Sequence, residues 1–114
     1  MKLQIELDRE RVALGEELTG RVVVLEGGEV RSLTLQVGLY EQAPASVVAV
    51  FRERAAIREG DLASGEEVPF GYTVSEFAFP SVKGRRCELY WELEAVADRP
   101  GLDTVARRRF EVER

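Results

Sequence analysis

The most restrictive feature of this sequence is a strict two-residue alternation in its last third. Between positions 87 and 98 an apolar set alternates with a mostly acidic set. The apolar set comprises Cys87, Leu89, Trp91, Leu93, Ala95 and Ala97, and the other comprises Glu88, Tyr90, Glu92, Glu94, Val96 and Asp98. Because successive side chains of a β-strand point to opposite faces, this segment predicts a strand with one buried and one solvated face. Such strands are typical of antiparallel sheets that pack on one side only.

The rest of the chain predicts further strands and no helix. Apolar alternation and β-branched residues, separated by glycine, proline and aspartate turns, predict strands over residues 3–7, 18–26, 30–40, 47–57, 68–74 and up to Val112. The stretch 52–56 is also compatible with helix by propensity, but its strand neighbours favour a strand. Several short strands with regularly spaced turns predict an all-β, immunoglobulin-like antiparallel β-sandwich that forms a single domain over residues 1–114.

The last two strands permit a prediction of register. The turn Arg99–Leu102 lies between two aspartates, Asp98 and Asp103, and pairing these aspartates fixes every partner further along. The predicted inward pairs are Trp91–Phe110 and Leu89–Val112, the predicted outward pairs are Glu92–Arg109 and Glu94–Arg107, and Arg108 faces inward opposite Leu93. An inward arginine requires a carboxylate partner or a path to water.

Composition restricts the classes of partner. The chain has 114 residues and a formal net charge of −5, which argues against nucleic acid as a ligand. No apolar run approaches the roughly 20 residues that span a membrane, and the alternating, charged start at Met1–Glu6 is typical of a strand and not of a secretion signal. A single cysteine cannot form an internal disulfide. These features predict a cytoplasmic protein, and the arginine and glutamate excess hints at a thermophilic or GC-rich source.

Catalysis is not expected. Histidine is absent, which excludes Ser-His-Asp and Cys-His centres, and one cysteine without histidine excludes ordinary zinc sites. Cys87 is interpreted as a small buried core residue, with a nucleophilic thiol as the alternative. Trp91 and the phenylalanines are interpreted as core. We therefore expect no enzyme activity, no cofactor and no metal.

The charged residues have structural and functional interpretations. Glu88, Glu92 and Glu94 are expected to form a solvated ion-pair ladder and not a glycosidase pair. Asp98 and Asp103 could bracket a cation at the hairpin end. The cluster Arg107, Arg108 and Arg109 is the candidate contact for an anion, although pairing with the glutamate ladder is the favoured interpretation.

The candidate partner surface is an apolar strand next to a proline-containing loop. It comprises Val47, Val48, Ala49, Val50 and Phe51. If this strand lies at the edge of its sheet, it offers unpaired N–H and C=O groups to a strand of a protein partner or of another copy of the chain.

Three segments resemble a known family. Gly15–Val24 resembles the early "GE-x-hydrophobic-x-G" segment of arrestin-like domains, Val68–Val74 with Phe79–Ser81 resembles their middle strand and Pro-Ser corner, and Cys87–Asp103 is similar to their closing hairpin. The bacterial Spo0M-like proteins belong to the same family. The order and spacing of the segments cover most of the chain from Leu14 to Val112, although Leu14 stands where a proline is common.

The resemblance implies an immunoglobulin-like sandwich that acts by binding, as a protein-binding adaptor or regulatory module. Members usually carry two tandem sandwiches, whereas this chain has the length of one. The phosphate-sensing residues of animal arrestins have no counterpart here, so receptor binding is not implied. The alternative function is a small-ligand or carbohydrate-binding sandwich, for which Tyr90 is the outward-facing aromatic.

Overall fold

A computed structural model describes all residues 1–114 and contains nine β-strands and no helix. The strands are β1 (Lys2–Leu7), β2 (Arg11–Ala13), β3 (Glu17–Glu26), β4 (Ser32–Ala43), β5 (Ser46–Glu59), β6 (Glu67–Thr73), β7 (Val82–Lys83), β8 (Glu88–Asp98) and β9 (Thr104–Glu113).

The strands form two sheets that pack face to face. The smaller sheet has three antiparallel strands in the order β1-β3-β6, and the larger has six, in the order β2-β9-β8-β4-β5 with β7 paired to the start of β8. The inner faces of both sheets are lined with buried apolar side chains. The predicted all-β sandwich is therefore confirmed.

A chain crossing joins the two sheets on each side of the sandwich. On one side residues 8–10 lead from β1 to β2, and β2 pairs in parallel with β9, Val12 opposite Val112. On the other side residues 60–66 lead from β5 of the large sheet to β6 of the small one. Each of these four outermost strands has a single hydrogen-bonded neighbour, so β5 and β6 present free edges on this second side, which we call the open side.

The core follows the alternation of the strands. The third strand and the eighth strand each present every second residue to the interior, as their burial patterns show. Trp91 is 1% exposed, and its indole Nε1 donates a hydrogen bond to the Phe79 carbonyl at 3.0 Å. Burying a large apolar side chain contributes about 1.5–3 kcal/mol. The packing of the two inner sheet faces against each other is therefore the main contribution to the stability of the fold.

The predicted hairpin register is confirmed over most of its length. Trp91 lies opposite Phe110, Glu92 opposite Arg109, Leu93 opposite Arg108 and Glu94 opposite Arg107. The predicted pair Leu89–Val112 is wrong. Beyond Phe110, β9 leaves β8 to pair with β2, and β7 takes its place beside β8.

The new partners account for this change. Leu89 pairs with Val82 of β7, while the Val112 amide donates to the Ser81 hydroxyl at 3.0 Å and the Val112 carbonyl accepts from the Ser81 amide at 2.9 Å. The backbone groups that β9 withdraws from β8 are thus satisfied by the corner that follows Pro80.

Four aromatic or sulfur-containing side chains lie outside the predicted core. Phe77 is 87% exposed and Phe79 61% exposed, and both occupy the loop between β6 and β7. Phe51 is 41% exposed because it lies on the edge strand. Cys87 is exposed because β8 begins one residue later, at Glu88. The interpretation of these four residues as core was therefore wrong, whereas Phe70 and Phe110 are buried.

Candidate functional site

The predicted partner surface lies on β5, at the outer edge of the six-stranded sheet. This strand pairs only with β4, and Ile57 is its only residue that is not exposed. The segment Val47–Phe51 therefore occupies an edge, and all five residues are exposed, although the Phe51 ring also lies against Trp91 with centroids 6.3 Å apart. Its use by a partner remains a prediction.

Two irregularities divide the edge strand. Val50 and Ile57 have no partner on β4, since the register shifts at both positions. Between them, Phe51–Ala56 pairs regularly with Thr34–Leu39. A bulge twists an edge and hinders further pairing, so the regular segment is the part best suited to accept another strand. We call Phe51–Ala56 the edge stretch.

The outer face of the edge stretch carries two arginines. Arg52 lies opposite Gly38 of β4 and Arg54 lies opposite Gln36. Neither arginine has a carboxylate within 4 Å, whereas Arg107 and Arg109 at the far side of the sheet both do. Of these two arginines, only Arg52 contacts an aromatic ring. Its guanidinium carbon lies 5.7 Å from the centroid of the Tyr40 ring.

The inner face of the edge stretch borders a small cavity. Ala55, which lies opposite the buried Leu35, and the bulged Ile57 face Phe70 of β6 across an opening of about 150 Å³. We call this cavity the side slot. It lies between the two free strand edges and is accessible from the open side of the sandwich.

A hydrogen bond bridges the two sheets at the side slot. The Tyr72 hydroxyl of β6 donates to Oε2 of Glu53 on β5 at 3.3 Å. Burial, and then the charge of the Glu53 carboxylate and its hydrogen bond, raise the pKa of Tyr72 to about 12. Tyr72 is therefore neutral and remains a donor at physiological pH.

These residues were not identified from the sequence. The sequence predicts residues 52–56 as part of the strand 47–57, with helix as the alternative, and indicates no binding role for them. The available signal was the alternation of Arg52 and Arg54 around Glu53, which predicts one cationic and one mixed face once the segment is a strand. The contact of Tyr72 with Glu53 could not be predicted from the sequence, because the two residues lie in different sheets and alternation says nothing about how sheets face each other.

The predicted arginine cluster is not a continuous surface. Arg107 and Arg109 point outward, and Arg107 Nε donates to Oε2 of Glu94 at 2.9 Å. Arg109 Nη1 lies 3.1 Å from Glu88 Oε1, and Arg109 Nε lies 3.8 Å from Glu92 Oε2. The expected glutamate–arginine ladder is thus present. An anion at these arginines would have to compete with neighbouring carboxylates.

Arg108 faces inward, as the register predicted. It pairs with Oε1 of Glu10 at 2.9 Å and remains 37% exposed. The two residues line an open groove of about 1180 Å³ at the position where β9 leaves β8. The carboxylate comes from the crossing between β1 and β2, so this ion pair ties that crossing to β9.

The carbohydrate-binding alternative depends on Tyr90 as an outward-facing aromatic residue, but other side chains cover its ring. Tyr90 stacks on Tyr40 with ring centroids 5.4 Å apart, and the guanidinium carbon of Arg109 lies 3.7 Å from the centroid of the Tyr90 ring. Sugar-binding platforms need an accessible ring face, and here a cation occupies it.

The two hairpin aspartates have protein partners. Asp98 Oδ1 accepts from Arg31 at 3.3 Å, and Asp103 Oδ1 accepts from the Arg99 backbone amide at 3.3 Å. The structure contains no group of three or more histidine, cysteine, aspartate or glutamate side chains that could hold a metal ion. It also has no helix with the length and apolar character needed to cross a membrane.

Comparison with known proteins reveals the fold. No family model matches the sequence, and no curated protein matches it significantly. Among solved structures, the sporulation control protein Spo0M from Bacillus subtilis superposes with a TM-score of 0.73 at 18% identity, over 99% of this chain and 49% of that protein. The chain thus spans about half the length of Spo0M. We conclude that the chain adopts the arrestin-like β-sandwich fold of Spo0M.

Proposed function

We propose that this chain is a non-catalytic, cytoplasmic binding module that takes up an extended segment of a protein partner as an additional strand along β5. The observation that carries this proposal is the edge stretch Phe51–Ala56, which is regular, exposed and paired on one side only. Its free backbone N–H and C=O groups would bond to the added strand.

The edge stretch has only part of the usual protection of edge strands. Natural edges are shielded by charged side chains, inward-pointing charges, proline, bulges or a covering element. The stretch carries Arg52, Glu53 and Arg54, but Glu53 is bound to Tyr72, no proline or lysine occurs in Ser46–Glu59, and the two bulges lie outside it. Six residues of regularly paired backbone therefore keep a free side, which is a common strand length.

A different protein fits this edge better than a second copy. An antiparallel pair that keeps both sheet faces continuous must be centred on one residue. Centring on Glu53 places Glu53 opposite its own copy and Arg52 opposite Arg54. Centring on Arg54 places Arg54 opposite itself. Like charges directly opposite each other are destabilising, so self-pairing through the edge stretch is disfavoured. A homo-oligomer through the more apolar Val47–Val50 would persist in the variants at Glu53 and Arg54 described below, and this persistence distinguishes it from pairing through the edge stretch.

Adjacent proline substitutions test the proposal. Along an antiparallel strand, neighbouring amides point alternately to the paired and to the free side. Of Glu53→Pro and Arg54→Pro, one therefore removes only a free amide and leaves the pairing with β4 intact. The matched controls Glu53→Ala and Arg54→Ala alter the same side chains and keep every amide. The probe is a set of short peptides selected from a random displayed library, with affinities measured by fluorescence anisotropy.

We expect the proline variant that retains the wild-type circular dichroism spectrum to bind the peptides at least about tenfold more weakly, a loss of about 1.4 kcal/mol. The alanine variants should bind more tightly than that proline variant. Equal affinity of the folded proline variant and the wild type would overturn the proposal, as would a selection that enriches no peptide. A dimer in light scattering that the same proline disrupts would identify a second copy as the occupant.

A further inference from the structure

We infer that the strand added to β5 carries acidic residues opposite Arg52 and Arg54 and a branched aliphatic residue opposite Ala55, which enters the side slot. Read from its N-terminus, the antiparallel partner has the pattern aliphatic–acidic–any–acidic. This inference rests on the proposed function, since it assumes a strand on the edge stretch and specifies its chemistry.

The acidic positions follow from an uncompensated charge pattern across the outer face. One row of the large sheet reads Arg52–Gly38–Glu92–Arg109, and the next row reads Arg54–Gln36–Glu94–Arg107. In both rows the glutamate pairs with the arginine of β9 and not with that of β5. Directly opposite residues of an antiparallel pair share a face, so an added strand would place its side chains beside Arg52 and Arg54.

Arg52 is held in place before any partner arrives. The neighbouring Tyr40 ring lies over Gly38, where a Cβ atom would be only 2.5 Å from the ring and the hydroxyl. Because the Tyr40 ring lies against the sheet at Gly38, its outer face is available for a cation–π contact with the Arg52 guanidinium. A guanidinium held in this way loses less freedom on pairing with a carboxylate, which favours bidentate recognition.

The aliphatic position follows from the side slot. Ala55 is the small residue on the inner face of the edge stretch, and Phe70 and Leu35 provide apolar walls. The space of about 150 Å³ is open to solvent, so one branched aliphatic side chain placed there would cover part of these apolar walls. The next inward residue, Glu53, is already occupied by Tyr72, which explains why the position between the two acids is unrestricted.

Designed peptides and matched protein variants test the pattern. The reference peptide places leucine opposite Ala55 and glutamates opposite Arg52 and Arg54. Two comparison peptides replace both glutamates with lysine or the leucine with serine. The double variant Arg52→Glu/Arg54→Glu reverses the charge of the edge. Ala55→Leu fills the side slot, and Ala56→Leu adds the same volume to the outer face as its control.

We expect the lysine peptide to bind the wild type at least about tenfold more weakly than the reference peptide, and the order to reverse with the charge-reversed double variant. The difference should shrink at high salt because exposed charges are screened. Ala55→Leu should lose the preference for leucine over serine, while Ala56→Leu keeps it. Failure of the charge-reversed variant to prefer lysine, or equal binding of leucine and serine peptides to the wild type, would overturn the inference.

Hydrogen exchange of the β5 amides separates this inference from the proposed function. Peptides of every pattern that protect these amides equally would refute the inferred specificity and leave strand addition standing. Peptides that bind without protecting them would refute both.

Discussion

Among single residues, Trp91 carries the clearest consequence for stability. It is buried against Phe110, with ring centroids 5.9 Å apart, and its indole N–H satisfies the Phe79 carbonyl. Trp91→Phe removes the donor and leaves a small cavity, so we expect a loss of about 2–3 kcal/mol in the free energy of unfolding. Urea titration followed by circular dichroism measures it. A loss below about 0.5 kcal/mol would contradict this packing.

Gly38 and Tyr40 provide a second prediction for single residues, through a double-mutant cycle. A Cβ at position 38 would collide with the Tyr40 ring, so Gly38→Ala should destabilise the protein by about 1–3 kcal/mol. In the background of Tyr40→Ala the obstacle is gone, and the same substitution should cost less than about 0.5 kcal/mol. Equal costs in both backgrounds, measured by urea titration, would show that the ring is not the cause.

The residue predictions from the sequence succeeded where alternation is strict and failed outside it. Trp91 and Phe110 lie within long strands, where the period of two assigns each side chain to a face. Phe77, Phe79 and Cys87 lie in loops, where no period applies. Hydrophobic character alone does not bury a residue, since more than half of a protein surface is apolar.

At the scale of strands, β9 carries an arginine on its inner face. Arg108 lies opposite the buried Leu93 and reaches Glu10 at the protein surface. Replacement of a partly buried ion pair by an apolar side chain is often neutral or stabilising, so Arg108→Leu should leave the free energy of unfolding unchanged or raise it by up to about 1 kcal/mol. Arg108→Glu should lower it by at least about 1 kcal/mol, because two carboxylates would meet. Thermal unfolding of both variants checks this order, and a loss for Arg108→Leu as large as that for Arg108→Glu would contradict it.

The limits of strand-level prediction have a physical cause. The β8–β9 register was predictable as far as Phe110 because a hairpin is local and its turn fixes the pairs. Beyond Phe110, β9 pairs with β2, which is distant in the sequence, and β8 pairs with β7, which is only two residues long. The same applies to β5. Its apolar half was recognised as a possible edge, but the arginines and the side slot depend on β4 and β6.

For the whole molecule, the candidate site lies where two of the four outermost strands, β5 and β6, face each other across the sandwich. The fold class was predictable because the alternation of apolar residues along a strand shows which of its faces is buried. The pairing of the sheets was not, since strand order depends on contacts between distant segments. The open side places Glu53 and Ala55 of one sheet beside Tyr72 and Phe70 of the other, and the candidate site exists only through that juxtaposition.

The Tyr72–Glu53 bond across the open side predicts a pH dependence of global stability. The pKa of Tyr72 is raised from 10.0 to about 12 in the folded protein, so folding favours the neutral phenol. This stabilising contribution is complete below pH 10 and is lost as the pH rises through about 12. Tyr72→Phe cannot ionise, so its urea midpoint should fall less steeply than that of the wild type over this range. Any change common to both proteins cancels in the comparison.

Glu53→Gln separates the two causes of the raised pKa. Burial is the larger cause and the Glu53 carboxylate the smaller one, so this variant should retain most of the wild-type slope. A slope as shallow as that of Tyr72→Phe would show that the Glu53 charge, and not burial between the sheets, controls Tyr72. Parallel curves for the wild type and Tyr72→Phe would place the Tyr72 hydroxyl in open solvent. The open side would then lack the polar bridge between β5 and β6.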